Sequence, residues 1–98
     1  MNMGVFSLFK RKKQRDFESE RRAFLTNHGR ITDGIIVDNE SGPGAGEIVF
    51  YRYTLNGVDF ESSEIISAEQ MRDPLKYAPG SKIGVLYDPK NQGNSMLQ

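Results

Sequence analysis

Glu47-Ile48-Val49-Phe50-Tyr51-Arg52-Tyr53-Thr54-Leu55-Asn56-Gly57-Val58-Asp59-Phe60-Glu61-Ser62-Ser63-Glu64-Ile65-Ile66 consists of two alternating runs joined by Asn-Gly. Both central residues of a type I′ turn have positive φ, which Asn and Gly tolerate, so Asn56-Gly57 predicts a two-residue β-hairpin. Such a loop fixes the register. Leu55 faces Val58, Tyr53 faces Phe60 and Tyr51 faces Ser62, while Thr54 meets Asp59 and Arg52 meets Glu61 on the opposite face. One face is then apolar and aromatic, and the other carries a cross-strand ion pair, the pattern of a sheet with one buried side. A row of Tyr51, Tyr53 and Phe60 is also the raw material of a base-stacking platform. Core packing is favoured instead, because almost no cations flank the row and a small domain needs those rings inside.

Working outward, Arg30 to Asp38 reads as a strand with Ile31, Ile35 and Val37 on one face, and Gly34 inside it points to a bulge or a close backbone approach. Asn39 to Gly46 is expected as a flexible connector. Its glycines meet no Gly-Lys-Ser/Thr and no helix, so they do not read as a phosphate cradle. Ser67 with Gln70 makes a capping box for a short helix from Ala68, which Pro74 breaks, with a second turn through Lys76. Ala78-Pro79-Gly80-Ser81 has the residues of a type II turn. The strand Lys82 to Tyr87 follows, with Ile83, Val85 and Tyr87 on one face. A turn at Asp88-Pro89-Lys90-Asn91 leads to a short last strand at Ser95-Met96-Leu97.

Upstream, residues 16–29 read as a surface helix with Asp16 as N-cap and a thin apolar stripe of Phe17, Phe24 and Leu25. Gly29 is expected in the left-handed position past its end, with His28 beside the last carbonyls. The predicted fold class is mainly β, a small five-stranded barrel or sandwich following an oligonucleotide-binding-like or SH3-like path, with an N-terminal α-helix. The predicted division is a flexible basic and apolar segment over residues 1–15, the helix over 16–29 and the β domain over 30–98.

Composition narrows the function. Ninety-eight residues form one domain with one core. Thirteen Lys plus Arg balance thirteen Asp plus Glu, so no global positive field draws the chain onto nucleic acid. The absence of cysteine excludes disulfides, thiolate catalysis and Cys-based metal sites, and the single His28 leaves no His pair for a metal. His28 reads as a helix-end or solvated side chain. Asp59 and Glu61, at i and i+2 on one strand face, form a carboxylate pair of the kind that serves as general acid and base, but pairing of Glu61 with Arg52 is the simpler explanation.

Charge is uneven: residues 1–22 carry seven cations against three anions, leaving the remainder with an excess of four anions. The head places Val5, Phe6, Leu8 and Phe9 directly before Lys10, Arg11, Lys12 and Lys13. The apolar part is about half of the ~18 residues a spanning helix needs, and the cations follow it where a signal peptide has them before. The start Met3-Gly4 lacks the Ser or Thr that myristoylation wants where Leu8 stands. The eight residues Val5, Phe6, Leu8, Phe9 and Lys10 to Lys13 are therefore the candidate contact for an anionic membrane surface or a partner, set against a frayed, solvated terminus as the plainer reading.

Three groups of residues resemble one family. They are Gly34-Ile35-Ile36-Val37, then Tyr51, Tyr53 and Gly57, then Tyr77, Pro79, Gly80, Val85, Tyr87, Asp88 and Pro89. Together they are similar to the bacterial domain-of-unknown-function family numbered 3592 over about residues 30 to 97. The closing Tyr-Asp-Pro turn is the most specific element. Members are often flanked by transmembrane helices, which are not read in this chain, and the resemblance implies a small all-β domain with no assigned catalysis. The resulting expectation is a non-catalytic binding or interaction module without cofactors, not an enzyme. It would engage a protein partner or itself, and would be cytoplasmic, with a candidate peripheral association at the inner membrane face. The alternatives are a single-stranded nucleic-acid or small-ligand binding barrel, or a minor enzyme, with nucleic acid disfavoured by the acidic body.

Overall fold

The computed structural model describes residues 17–98. After a helix over residues 17–28 (α1), five strands follow: β1 (Arg30–Ser41), β2 (Glu47–Leu55), β3 (Val58–Ile66), β4 (Lys82–Asp88) and β5 (Asn91–Leu97). Two 3-10 turns, Gln70–Arg72 and Pro74–Tyr77, link β3 to β4. All pairings are antiparallel, in the order β3-β2-β1-β4-β5. The fourth strand returning by a long connection to lie beside the first is a Greek key. A five-stranded, partly open Greek-key barrel is the oligonucleotide-binding path of the two expected.

The decisive hairpin forms as the sequence predicts. Asn56 and Gly57 sit at φ 51 and 79, and the ladder pairs Leu55 with Val58, Tyr53 with Phe60, Tyr51 with Ser62, Thr54 with Asp59 and Arg52 with Glu61. Tyr51 and Tyr53 are buried and stack along the interior, and Phe60 stacks on Tyr53 at 5.3 Å between ring centroids. Around them pack Ile36, Val49, Ile66, Ile83, Val85 and Leu97. Arg52 and Glu61 meet on the outer face at 2.8 Å, exposed to water.

The later turns also follow the sequence. The Ser67 N–H donates to Gln70 Oε1 and the Gln70 N–H to Ser67 Oγ, the reciprocal bonds of a capping box, although the helix expected from Ala68 is replaced by a 3-10 turn over Gln70–Arg72. The Ser81 N–H donates to the Ala78 carbonyl with Gly80 at φ 89, which is the type II turn. Ile83, Val85 and Tyr87 face inward.

Four further expectations are corrected. In β1, Ile31, Ile35 and Val37 lie on the outer surface, and Gly34 and Ile36 take the inward positions. The interior leaves no room at Gly34: a Cβ there would sit 2.6 Å from Val85 Cγ2 and 3.1 Å from the Arg52 carbonyl oxygen. The strand therefore presents its side-chain-free position to the core, a choice that alternation of apolar residues does not reveal. A bulge at Val37, between the pairs Ile36 with Tyr51 and Asp38 with Phe50, then turns an extra residue outward. Second, Asn39 to Ser41 continue β1 rather than joining the connector, since Asn39, Glu40 and Ser41 pair with Val49, Ile48 and Glu47.

Third, α1 docks through Leu25, which is fully buried, while Phe17 and Phe24 remain 59% and 42% exposed. Fourth, Gly29 is not among the residues with positive φ; its need for glycine comes from crowding against the Leu25 carbonyl oxygen, which accepts its N–H. Asp16 lies outside the described residues.

Gly34→Ala should lower stability by about 1–3 kcal/mol through overpacking against Val85. The coupling between Arg52→Ala and Glu61→Ala should stay below about 1 kcal/mol. Urea denaturation of the three single variants and the Arg52/Glu61 double variant measures both.

Candidate functional site: the barrel seam

The barrel closes where β3 approaches β5, and there the sheet ladder stops: among the described residues β3 pairs with β2 and β5 with β4, with no backbone pairing between them. Side chains bridge the gap. From the interior, Tyr51 Oη and Ser95 Oγ share a hydrogen bond of 2.7 Å, and the Tyr53 hydroxyl donates to the Gln92 carbonyl at 2.5 Å. From β3, Glu64 Oε1 accepts the Leu97 N–H at 3.1 Å. β5 is shaped for these contacts. It pairs Leu97, Met96 and Ser95 with β4 and resumes only at Asn91, so Gln92 to Asn94 bulge away from their neighbour.

α1 lies across the seam because two adjacent arginines meet its polar groups. Arg21 Nη1 donates to Asn94 Oδ1 at 3.0 Å and to the Ser95 carbonyl at 2.9 Å, while its other nitrogens grip both carboxylate oxygens of Glu18. Arg22 Nη1 stands 3.5 Å from Glu64 Oε1, a carboxylate only 12% exposed. Arg21, Arg22 and Leu25 form the docked face at helical spacing, so the arginine stems pack while their heads satisfy strand ends. The hydrogen bond from Arg21 holds the Glu18 carboxyl below its usual range, and the same bond raises the Arg21 guanidinium above its own. Burial pushes the Tyr51 hydroxyl above its ordinary 10.0.

Between α1 and the edge of β3 an open hollow of about 560 Å³ is lined by Glu18, Arg21, Arg22, Ser63, Glu64 and Ile65. In a two-residue hairpin the residues next to the turn form a hydrogen-bonded pair, and pairs then alternate. Val58, Phe60, Ser62, Glu64 and Ile66 thus bond β2, and the backbone N–H and C=O groups of Asp59, Glu61, Ser63 and Ile65 point to the seam. Their side chains stand on the outer face, Ile65 60% exposed.

The predicted contact residues, Val5, Phe6, Leu8, Phe9, Lys10, Arg11, Lys12 and Lys13, lie outside the described residues. His28 is exposed at the end of α1 with its ring 5.3 Å from that of Phe24. Asp59 accepts a hydrogen bond from Thr54 Oγ1 at 2.6 Å and Glu61 from Arg52, so both carboxylates hold structural partners. Among the described residues no group of three His, Asp or Glu is placed to hold a metal, and no helix is long and apolar enough to cross a membrane. Sequence reading missed Arg21, Arg22, Glu64 and Ser95. For Glu64 the signal was present: the hairpin register puts a carboxylate on the inward face beside Ile66.

The family model described as a domain of unknown function (DUF3592) matches residues 28–98, all five strands. The chain belongs to the DUF3592 family. No curated protein and no solved structure matches it. In this DUF3592 chain the matched residues include β3 and β5, whereas α1 lies almost wholly before them.

Tyr51→Phe should cost about 1–2 kcal/mol by leaving the buried Ser95 hydroxyl without its partner. Because the folded pKa is raised, the folded chain holds the Tyr51 proton where the unfolded chain loses it, so stability falls as pH climbs above about 10. Tyr51→Phe should flatten that fall. Denaturation midpoints at about pH 9 and 11 test both effects.

Proposed function

We propose that this DUF3592 chain is a non-catalytic interaction module that engages a protein partner through the hollow between α1 and β3 and is held at an anionic membrane face by its head. The observation that carries the reading is the open hollow between α1 and β3, lined by charged helix side chains and by the exposed Ser63 and Ile65. The polar side chains that could do chemistry are occupied in closing the barrel: Ser95 bonds the Tyr51 hydroxyl rather than a base, and Glu64 holds Leu97 and Arg22. The row of Tyr51, Tyr53 and Phe60 packs inward, which counts against base stacking on it.

The tether rests on sequence chemistry. Val5, Phe6, Leu8 and Phe9 followed by four cations combine partial apolar insertion with about 1 kcal/mol of attraction per basic residue near an anionic leaflet. Neither part suffices alone, and the attraction fades over a Debye length of ~8 Å at physiological salt. The full chain should sediment with vesicles containing anionic lipid, less so as salt rises. Binding should be lost in Phe6→Ser with Phe9→Ser and, separately, in Lys12→Glu with Lys13→Glu. Sedimentation that is unchanged when residues 1–15 are removed refutes the tether.

A further inference from the structure

The outer face of the sheet carries apolar side chains across three adjacent strands. Ile35 and Val37 on β1 and Ile65 on β3 are exposed, and Ile48 and Phe50 on β2 are half-buried between them. Ile65 stands directly opposite Ile48 in the ladder. The water-facing side of an antiparallel sheet is ordinarily polar, and a contiguous apolar patch there marks a surface for an interaction. An open hollow of about 330 Å³ lies within the patch, with Val37, Phe50 and Ser63 in its lining. Asp38 and Glu40 flank it, since they pair with Phe50 and Ile48, and both are exposed. Arg52 on the same face is held by Glu61, and Lys82 lies at the far border opposite Ile35.

We infer that the occupant of this face is the chain's own head, with Val5, Phe6, Leu8 and Phe9 seated on the apolar patch and Lys10 to Lys13 against its carboxylates. The chemistry is complementary, an apolar quartet followed by four cations meeting an apolar patch flanked by anions. The position is right as well. Glu18, near the start of α1, lines the same hollow as Ser63 and Ile65, so the helix begins beside the β3 border of the patch. Two strand spacings, about 10 Å, separate β3 from β1. Phe9 lies eight residues before Phe17, a stretch that spans up to roughly 27 Å when extended. Covalent linkage makes the docking intramolecular and raises the effective concentration of the head at the patch.

A second copy laid face to face would bring Asp38 and Glu40 of both chains together, and an anionic leaflet would meet the same carboxylates. The regulatory consequence rests on the tether reading: the same four apolar side chains serve the membrane and the sheet face, so the two seats exclude each other. The head is covered in water and released where anionic lipid competes for it.

The chain has no cysteine, so a nitroxide attached through Ser7→Cys is unique and leaves the four apolar side chains in place. The test reads NMR amide intensities in the full chain carrying this label. Without lipid, the amides of Val37, Phe50 and Ile65 should lose most of their intensity, while those of Lys90 and Asn91 in the β4-β5 turn keep theirs. Val37→Ser with Ile65→Ser, and separately Asp38→Lys with Glu40→Lys, should restore the lost signals, with unchanged Tyr51 and Tyr53 amides reporting an intact core. An isotope-labelled chain without the nitroxide, mixed with a spin-labelled chain, should lose nothing. Vesicles containing anionic lipid should restore the intensities. Full intensity at Val37, Phe50 and Ile65 in the lipid-free chain overturns the docking and leaves the tether standing. Equal loss in the mixture also overturns it, since the head of a second copy is then the occupant. Loss that persists on vesicles that sediment the chain overturns the competition between the seats. Loss in a chain that no vesicle sediments supports the docking and refutes the tether alone.

Discussion

Two phenolic hydroxyls hold this barrel shut. Tyr51 and Tyr53 rise from the central part of β2, cross the interior and bond Ser95 and Gln92 on β5, where a ladder between β3 and β5 would otherwise stand. A sheet of five strands this short has too little circumference to leave its core uncovered, and its two edges cannot both stay open. Aromatic side chains solve both problems, since the ring fills the centre and the polar tip finds an acceptor at the far wall. The Asn56-Gly57 turn matters for the same reason: a slip of one residue would send both tyrosines to solvent and break both bonds.

The helix completes what the tyrosines begin. Its arginines reach strand groups that no strand pairs, so a surface helix with a single fully buried apolar residue still has a defined seat. Polar docking of this kind is directional where apolar packing is not, and it places Glu18, Arg21 and Arg22 along one wall of a hollow whose other wall is β3.

Much of the fold was legible in the sequence because turn chemistry is local. Asn56-Gly57, Pro79-Gly80 and the Ser67/Gln70 box each declare their geometry within four residues, and the hairpin register follows by counting. The face of β1 was not legible. The run Gly34-Ile35-Ile36-Val37 offers apolar side chains at either parity, and the decision came from Val85, some fifty residues away in the chain. The seam was half legible. Register alone placed Glu64 inward, whereas the contacts of Arg21 with Asn94 and Ser95 depend on a bulge in β5 that no local pattern marks. The family membership covers the barrel and was readable from the Tyr-Asp-Pro turn and the glycine and tyrosine spacings.

β1 has a further consequence, which concerns how the chain reaches this state. Its N-terminal half pairs with β4 and its C-terminal half with β2, and among the described residues only Gly34 and Ile35 have ladder partners on both sides. The β1-β2, β2-β3 and β4-β5 connections are all local, so three of the four ladders need only short loop closures. The β1-β4 ladder alone spans the hairpin and both 3-10 turns. Non-local pairing carries the larger entropy cost and sets the pace of β-rich folding. The slow event is then the meeting of a three-stranded and a two-stranded meander along one half of β1, with Gly34 at the joint where the two halves must register.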